Sequence, residues 1–224
     1  MRDSLIILNC VQGSAEWNRA RLGIPTASRF SEIVTPKGAL SASREKYRNE
    51  LLAEWALGYS PTEFHGNYWT DRGSRLEAEA IAYYQMMRGT TPQRVGFVYR
   101  DESRMVGCSP DWMFPPDGIG EVKCPKASTH IGYLLDGELP AQYRPQVQGQ
   151  LWVTGAAWCD YVSYYRDEEL EGELPEVLVR VEPDADYQAA LDKAIPAFIA
   201  ELLEGREELI KRGVVSREVA EALG

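Results

Sequence analysis

Two short segments of this 224-residue chain hold side chains that could do chemistry together, Ser109-Pro110-Asp111 and Gly120-Glu121-Val122-Lys123. Side chains alternate along a strand, so Glu121 and Lys123 point to one face. Between the segments lies Pro115-Pro116-Asp117-Gly118, a turn signal between apolar runs, which predicts a β-hairpin over residues 105–124. Paired in that way, Asp111 lies beside Glu121, and two carboxylates and an ammonium converge. Such a trio in half-buried strands is costly unless it binds something. Two adjacent carboxylates do not both ionise cheaply without a cation. Mg2+ meets that need, because it takes oxygen ligands and keeps waters for a substrate phosphate. The carbonyl of Val122 offers a further neutral oxygen. A lysine beside the ion can orient or deprotonate an attacking water and stabilise transition-state charge. By these letters alone, an ordinary ion pair on a strand edge remains open.

Two neighbouring stretches add to the pattern. Glu77 stands beside the apolar stripe Leu76, Ala80, Ile81 and Tyr84 of a predicted helix over 73–88, where it is a candidate third carboxylate. Its plain alternative is a solvated helical glutamate. Gln146, Gln148 and Gln150 fall on a predicted helix over 145–153, with Gln146 and Gln150 one turn apart on one face. Uncharged amides suit the surroundings of a metal, and equally suit a polar helix face.

The elements that must hold these residues follow from periodicity. Helices are predicted over 43–57, ending at Gly58, and over 128–135, with a long acidic amphipathic helix from Ala185 to about Arg212. A turn-rich loop fills 58–71. Strands are predicted over 95–99, 104–114, 119–124, 158–165 and 176–181. Helices, then strands, then a mixture predict an α/β (α+β) fold with one central sheet. The expected organisation is a single domain over 1–224, with an acidic helical region from about 185 onward.

Composition excludes several classes. Hydrophobic residues make 44% and charged residues 26%, which is globular rather than disordered or fibrous. The apolar patch Leu5–Leu8 is too short for a signal sequence, and no run is long enough to span a membrane, so an intracellular, cytoplasmic protein is expected. Four cysteines without CxxC spacing and two histidines make a zinc or iron–sulfur centre a poor reading. The net charge of −10 opposes nucleic-acid binding only on average. Residues 1–166 carry 18 basic and 18 acidic side chains, and residues 167–224 carry 6 and 16, so the whole excess lies in the last quarter.

An acidic helix residue, then Pro-Asp, then Glu-x-Lys, resembles the PD-(D/E)XK nuclease superfamily. Within it, the chain resembles the phage lambda exonuclease / YqaJ-like viral recombinase family. The similar segments are Trp17-x-x-x-Arg21-Leu22-Gly23-x-x-Thr26-Ala27-Ser28, Gly73-x-x-x-Glu77, Tyr99 to Ser103, Cys108-Ser109-Pro110-Asp111, Glu121-x-Lys123-Cys124-Pro125, and Gln146-Val147-Gln148 with Leu151 to Thr154. They run from about Gly13 to about Leu203, so they cover most of the chain. The resemblance implies a restriction-endonuclease-like core, a central mixed sheet flanked by helices. It implies a Mg2+-dependent exonuclease that degrades one strand of duplex DNA 5′→3′ from a 5′-phosphorylated end. Asp111, Glu121 and the Val122 carbonyl would bind metal, Glu77 would serve a second ion, Lys123 would be the catalytic lysine, and Gln146 the glutamine beside it. Mn2+ would be able to substitute for Mg2+. Arg21, Ser28 and Ser109 match the terminal-phosphate pocket, where a planar guanidinium fits phosphate oxygens.

Thr129 stands where the family has a second pocket arginine, and Lys37 or Lys126 is expected to compensate. Thr70 stands at the family's duplex-opening residue, with Tyr68 or Trp69 as an aromatic substitute. The resemblance further implies a homotrimeric ring around DNA and a single-strand annealing protein as partner. Other readings are a Mg2+ endonuclease of the same superfamily and a catalytically silent module that binds DNA ends. A Cas4-like iron–sulfur nuclease fits the cysteine positions poorly.

Overall fold

Glycines at alternate positions decide where the central strand can lie. A Cβ on Gly120 would come within 1.9 Å of the Trp112 indole, and one on Gly118 within 2.1 Å of the Trp158 indole. The two glycines share one face of their strand, and the indoles of both neighbouring strands fill the space they leave. The structure, a computed structural model, describes residues 1–2, 4–61, 68–167 and 172–216, without the side chains of 68–74 and 173.

In chain order the elements are β1 (Ile6–Leu8), α1 (Ala15–Arg21), a 3-10 turn (Ala27–Glu32), α2 (Arg44–Leu57), α3 (Tyr68–Arg88), β2 (Phe97–Tyr99) and β3 (Gly107–Cys108). They continue with β4 (Trp112–Phe114), β5 (Gly118–Lys123), α4 (Ala127–Asp136), α5 (Arg144–Thr154), β6 (Trp158–Ser163), β7 (Arg166–Asp167), β8 (Gly172–Glu173), β9 (Val177–Val181) and α6 (Ala185–Lys211). The main sheet has the order β4-β5-β6-β9. It is mixed, because β5 runs parallel to β6 and antiparallel to β4, while β9 is antiparallel to β6.

The α/β class and the central mixed sheet agree with the sequence, and two smaller sheets stand beside it. A second, three-stranded sheet has the order β1-β2-β3, and β7 pairs with β8 alone. The predicted strand over 104–114 is split, because Pro110 has no N–H to carry a ladder through. Its first part pairs with β2, and its second part forms the hairpin with β5. Gln93, in the connection before β2, and Met113 of β4 exchange two backbone hydrogen bonds of 2.8 Å. Helix α3 begins at Tyr68 rather than Gly73, which shortens the predicted loop; one glycine inside a helix costs only about 1 kcal/mol. The patch Leu5–Leu8 is mostly β1.

Helices cover both faces of the main sheet. Leu76, Ala80, Ile81 and Tyr84 of α3 pack with Trp112, Val122 and Val162. On the opposite face, Ile119, Tyr161 and Met113 pack with Val147 and Leu151 of α5, and Leu191, Ile195 and Phe198 of α6 lie behind. Tyr47 of α2 stacks on Phe198, with ring centroids 5.5 Å apart. Among the described residues no helix is long and apolar enough to cross a membrane.

Replacing Gly120 by alanine drives a methyl into a fully buried indole, and overpacking of this kind costs about 3 kcal/mol. Urea denaturation of Gly120→Ala is expected to show that loss. A variant as stable as the parent would contradict the packing described.

Candidate active site

Strand alternation sends Ile119, Glu121 and Lys123 toward α5 and Val122 toward α3. Glu121 is 2% exposed. A carboxylate taken that far out of water needs donors, and it has three. The Lys123 ammonium bonds Oε1. The Gln146 amide donates to the same oxygen over 2.6 Å, and the Gln150 amide donates to Oε2 over 2.6 Å. The i,i+4 spacing of the two glutamines therefore places both on one carboxylate. Gln148, on another face of α5, instead ties down α6, accepting from the Asp184 N–H and donating to the Glu182 carbonyl.

Asp111 lies at the end of β4, next to Glu121. Its N–H donates to the Gly120 carbonyl over 3.0 Å, and its Oδ2 accepts from the Val122 N–H over 2.6 Å. In a strand the N–H and C=O of one residue point the same way, so the Val122 carbonyl lies on the Asp111 side. The Lys123 carbonyl points the other way and accepts from the Tyr164 N–H over 2.9 Å. The sequence-predicted Asp111, Glu121, Val122, Lys123 and Gln146 are thus brought together. Glu77 reaches the same charges from α3, where it is half-buried and paired with Arg94 at 3.3 Å. Among the described residues no three His, Cys, Asp or Glu side chains form a group ready to hold a metal.

The carboxyls feel one another. Burial pushes Asp111 well above the ordinary carboxylate range, and the charges of Glu121 and Glu77 push it the same way, while Lys123 and the Val122 N–H oppose. Burial also raises Glu77, with Arg94 opposing and Glu121 adding to the shift. For Lys123 burial alone would lower the pKa, but Glu121 and Asp111 outweigh it and the net direction is up. Its ammonium also lies 5.4 Å from the centroid of the Tyr143 ring.

A second cluster lies around α1. The Arg21 guanidinium sits over the Trp17 ring at 4.2 Å. The Trp17 indole donates to Ser109 Oγ over 2.7 Å, and Ser28 Oγ lies 3.2 Å from the Thr26 hydroxyl. Trp17, Arg21, Thr26 and Arg29 line one cavity of about 870 Å3. Trp17 therefore links Arg21 and Ser109, a link that residue spacing did not signal. Arg29 is already held by Glu32 and Glu50, at 2.6 and 2.5 Å. Of the predicted phosphate-pocket residues only Arg21 lines this cavity; Ser28, Ser109, Lys37 and Lys126 do not, Lys37 being exposed in the loop before α2 and Lys126 capping α4. Thr129 is exposed on α4. The side chains of Tyr68, Trp69 and Thr70 lie outside the described residues. Arg94, the partner of Glu77, was not singled out by any sequence signal. Among the described residues all four cysteines are free thiols, two of them buried.

The YqaJ-like viral recombinase domain matches residues 16–157, a span that takes in Arg21, Glu77, Asp111, Glu121, Lys123 and both amides on Glu121. This chain belongs to that family. Among solved structures, the alkaline exonuclease LHK-Exo from Laribacter hongkongensis is 33% identical, with a TM-score of 0.77 over 89% of this chain and 98% of that one. The same enzyme in complex with dAMP gives 34% identity and a TM-score of 0.76 over the same shares. A phage-related exonuclease from Haemophilus somnus 129PT, 17% identical with a TM-score of 0.60 over 84% of this chain and 96% of that one, shares the fold. Comparison with curated protein sequences gives no match. As a member of the YqaJ-like family with exonucleases as relatives, the chain is a nuclease.

A carboxyl whose folded pKa lies above its unfolded value stabilises the fold below the unfolded value and loses that contribution as pH rises through the folded one. Asp111→Asn keeps an acceptor for the Val122 N–H. It is expected to be more stable than the parent in EDTA, with the gain small in acid and largest in mildly alkaline buffer. Lys123→Met uncovers Glu121 and is expected to cost about 3 kcal/mol. Urea titrations in acidic and alkaline buffer check both signs.

Proposed function

We propose that this protein is a Mg2+-dependent exonuclease that degrades one strand of duplex DNA 5′→3′ from an end. The product would be a 3′ single-stranded overhang for annealing-type recombination. The convergence of Asp111, Glu121, the Val122 carbonyl and Lys123, in a chain related to exonucleases, carries the proposal. The relative crystallised with dAMP supports it, because a deoxynucleoside monophosphate is what end-on cleavage releases.

The donor set fits the ion. Two crowded carboxylates and a carbonyl are all oxygen, as Mg2+ requires, and Asp111 is held in a place where its own charge is disfavoured. When bound, Mg2+ or Mn2+ would polarise the scissile phosphate and stabilise the charge that develops on its oxygens. Glu77, now paired with Arg94, would be the residue to hold a second ion. Lys123, held protonated by Glu121 and Asp111, acts as a fixed donor that orients the attacking water and offsets negative charge. Gln146 keeps Glu121 and Lys123 in one cluster. Arg21, set on the Trp17 ring, and Ser109, bonded to the same indole, anchor the terminal phosphate with Ser28. A homotrimeric ring and a single-strand annealing partner belong to the same proposal. Light scattering of the purified protein tests the ring, which predicts three 25.2 kDa chains per particle.

A linear duplex with one 5′-phosphorylated end decides between the readings. Mononucleotides should appear from that end, only with Mg2+. Lys123→Ala should lower the rate about 10^2- to 10^4-fold while still binding DNA. Cutting of closed circles would replace the exonuclease by an endonuclease, and binding without cleavage would indicate a silent end-binding module.

Arg21→Ala should reduce discrimination between phosphorylated and hydroxyl ends about tenfold, in keeping with loss of a bidentate phosphate contact. Lys37→Ala and Lys126→Ala test whether either lysine compensates for Thr129. Unchanged end preference in both would remove that role from them.

A further inference from the structure

We propose that Gln150 is the positioning residue of this site, turning the Glu121 carboxylate so that Oε2 is the oxygen presented to the divalent cation. The proposal rests on the metal-dependent reading above and assigns an atom and a residue within it.

A carboxylate oxygen has about two acceptor positions. On Glu121, Oε1 already takes the Lys123 ammonium and the Gln146 amide. Oε2 takes only the Gln150 amide, at 2.6 Å, and so keeps a position open. Gln150 is also placed to be stiff. It is 1% exposed, and its helix neighbours Val147 and Leu151 are buried in the core against the same sheet. Gln146, at the start of α5, is only half-buried and shares its oxygen with the Lys123 ammonium. Fixing the rotation of Glu121 therefore falls to the deeper amide.

Gln150 carries a cost that packing does not explain. Its own Oε1 is buried and has no hydrogen-bond partner among the described residues. An acceptor buried without a partner is unfavourable, and a methionine would fill the same space without one. What glutamine offers over methionine at this position is the N–H on Glu121 Oε2. A partner that orients a metal-binding carboxylate in this way acts on the ion through the carboxylate and touches no substrate.

Gln150→Met keeps the length of the side chain and removes the donor. With the full-length protein and no DNA, calorimetry should show Mn2+ binding about 10- to 100-fold weaker than in the parent. On linear duplex DNA, kcat at fixed Mg2+ should fall in the same range and recover in part with excess Mg2+, while KM for DNA stays unchanged. Gln146→Met, which leaves Oε2 oriented, should weaken Mn2+ binding less. Equal Mn2+ affinity in parent and Gln150→Met would overturn the proposal, as would a parent that binds no Mn2+. A parent that binds Mn2+ yet cuts no DNA would defeat the nuclease mechanism proposed above and leave Gln150 to be judged on binding alone. If Gln150→Met does not fold, Gln150→Asn, whose amide is one methylene short of Oε2, carries the same expectation.

Discussion

A carboxylate does not survive in a protein core without donors, and the rest of this fold is arranged around that constraint at Glu121. Three elements must meet there. Strand β5 carries the residue, the lysine two positions on supplies charge, and α5 crosses the sheet face to deliver two amides. Asp111 is then forced close, because its own backbone pairs with Gly120. The opposite face is packed with apolar side chains from α3 and buries one carboxylate of its own, Asp160, held by Tyr84 of α3 and by Arg180. One face of the sheet thus builds the site and the other anchors it.

The same economy governs charge. The chain keeps its acidic excess beyond residue 166, and α6 turns Leu191, Ile195 and Phe198 inward while Glu204, Glu207 and Glu208 stay exposed. The carboxylates at the site are different in kind. They are few, crowded and partly starved of water, and beyond burial the charge of Glu121 raises the pKa of both Asp111 and Glu77. A fold that tolerates such crowding gives up stability at neutral pH, and it regains it only when a cation or a proton arrives.

Much of the site was legible in the sequence because its logic is local. Glu121 and Lys123 are fixed by strand alternation, and Gln146 with Gln150 by the helical turn. Asp111 required only that the hairpin close at Pro115 to Gly118. What the letters did not show depends on the path of the chain in space. The break at Pro110 sends one predicted strand into two sheets, and that can be read only once both partners are known. Trp17 and Ser109 lie far apart in sequence, and Glu77 of α3 meets Arg94 of the connection between α3 and β2, so no spacing rule joins either pair. Likewise the split between Oε1 and Oε2 on Glu121 is a matter of rotamers rather than of residue types.

Gly149 lies on α5 between the two amides that hold Glu121, and a Cβ there would come within 2.5 Å of the Phe30 ring. The 3-10 turn that carries Ser28 therefore rests almost on the helix backbone. Only the Phe30 ring and the Ala27 methyl stand between the turn and that stretch of helix. Under the proposed function, the interval between the end grip and the cut would be set by how closely the Phe30 ring seats on the helix at Gly149.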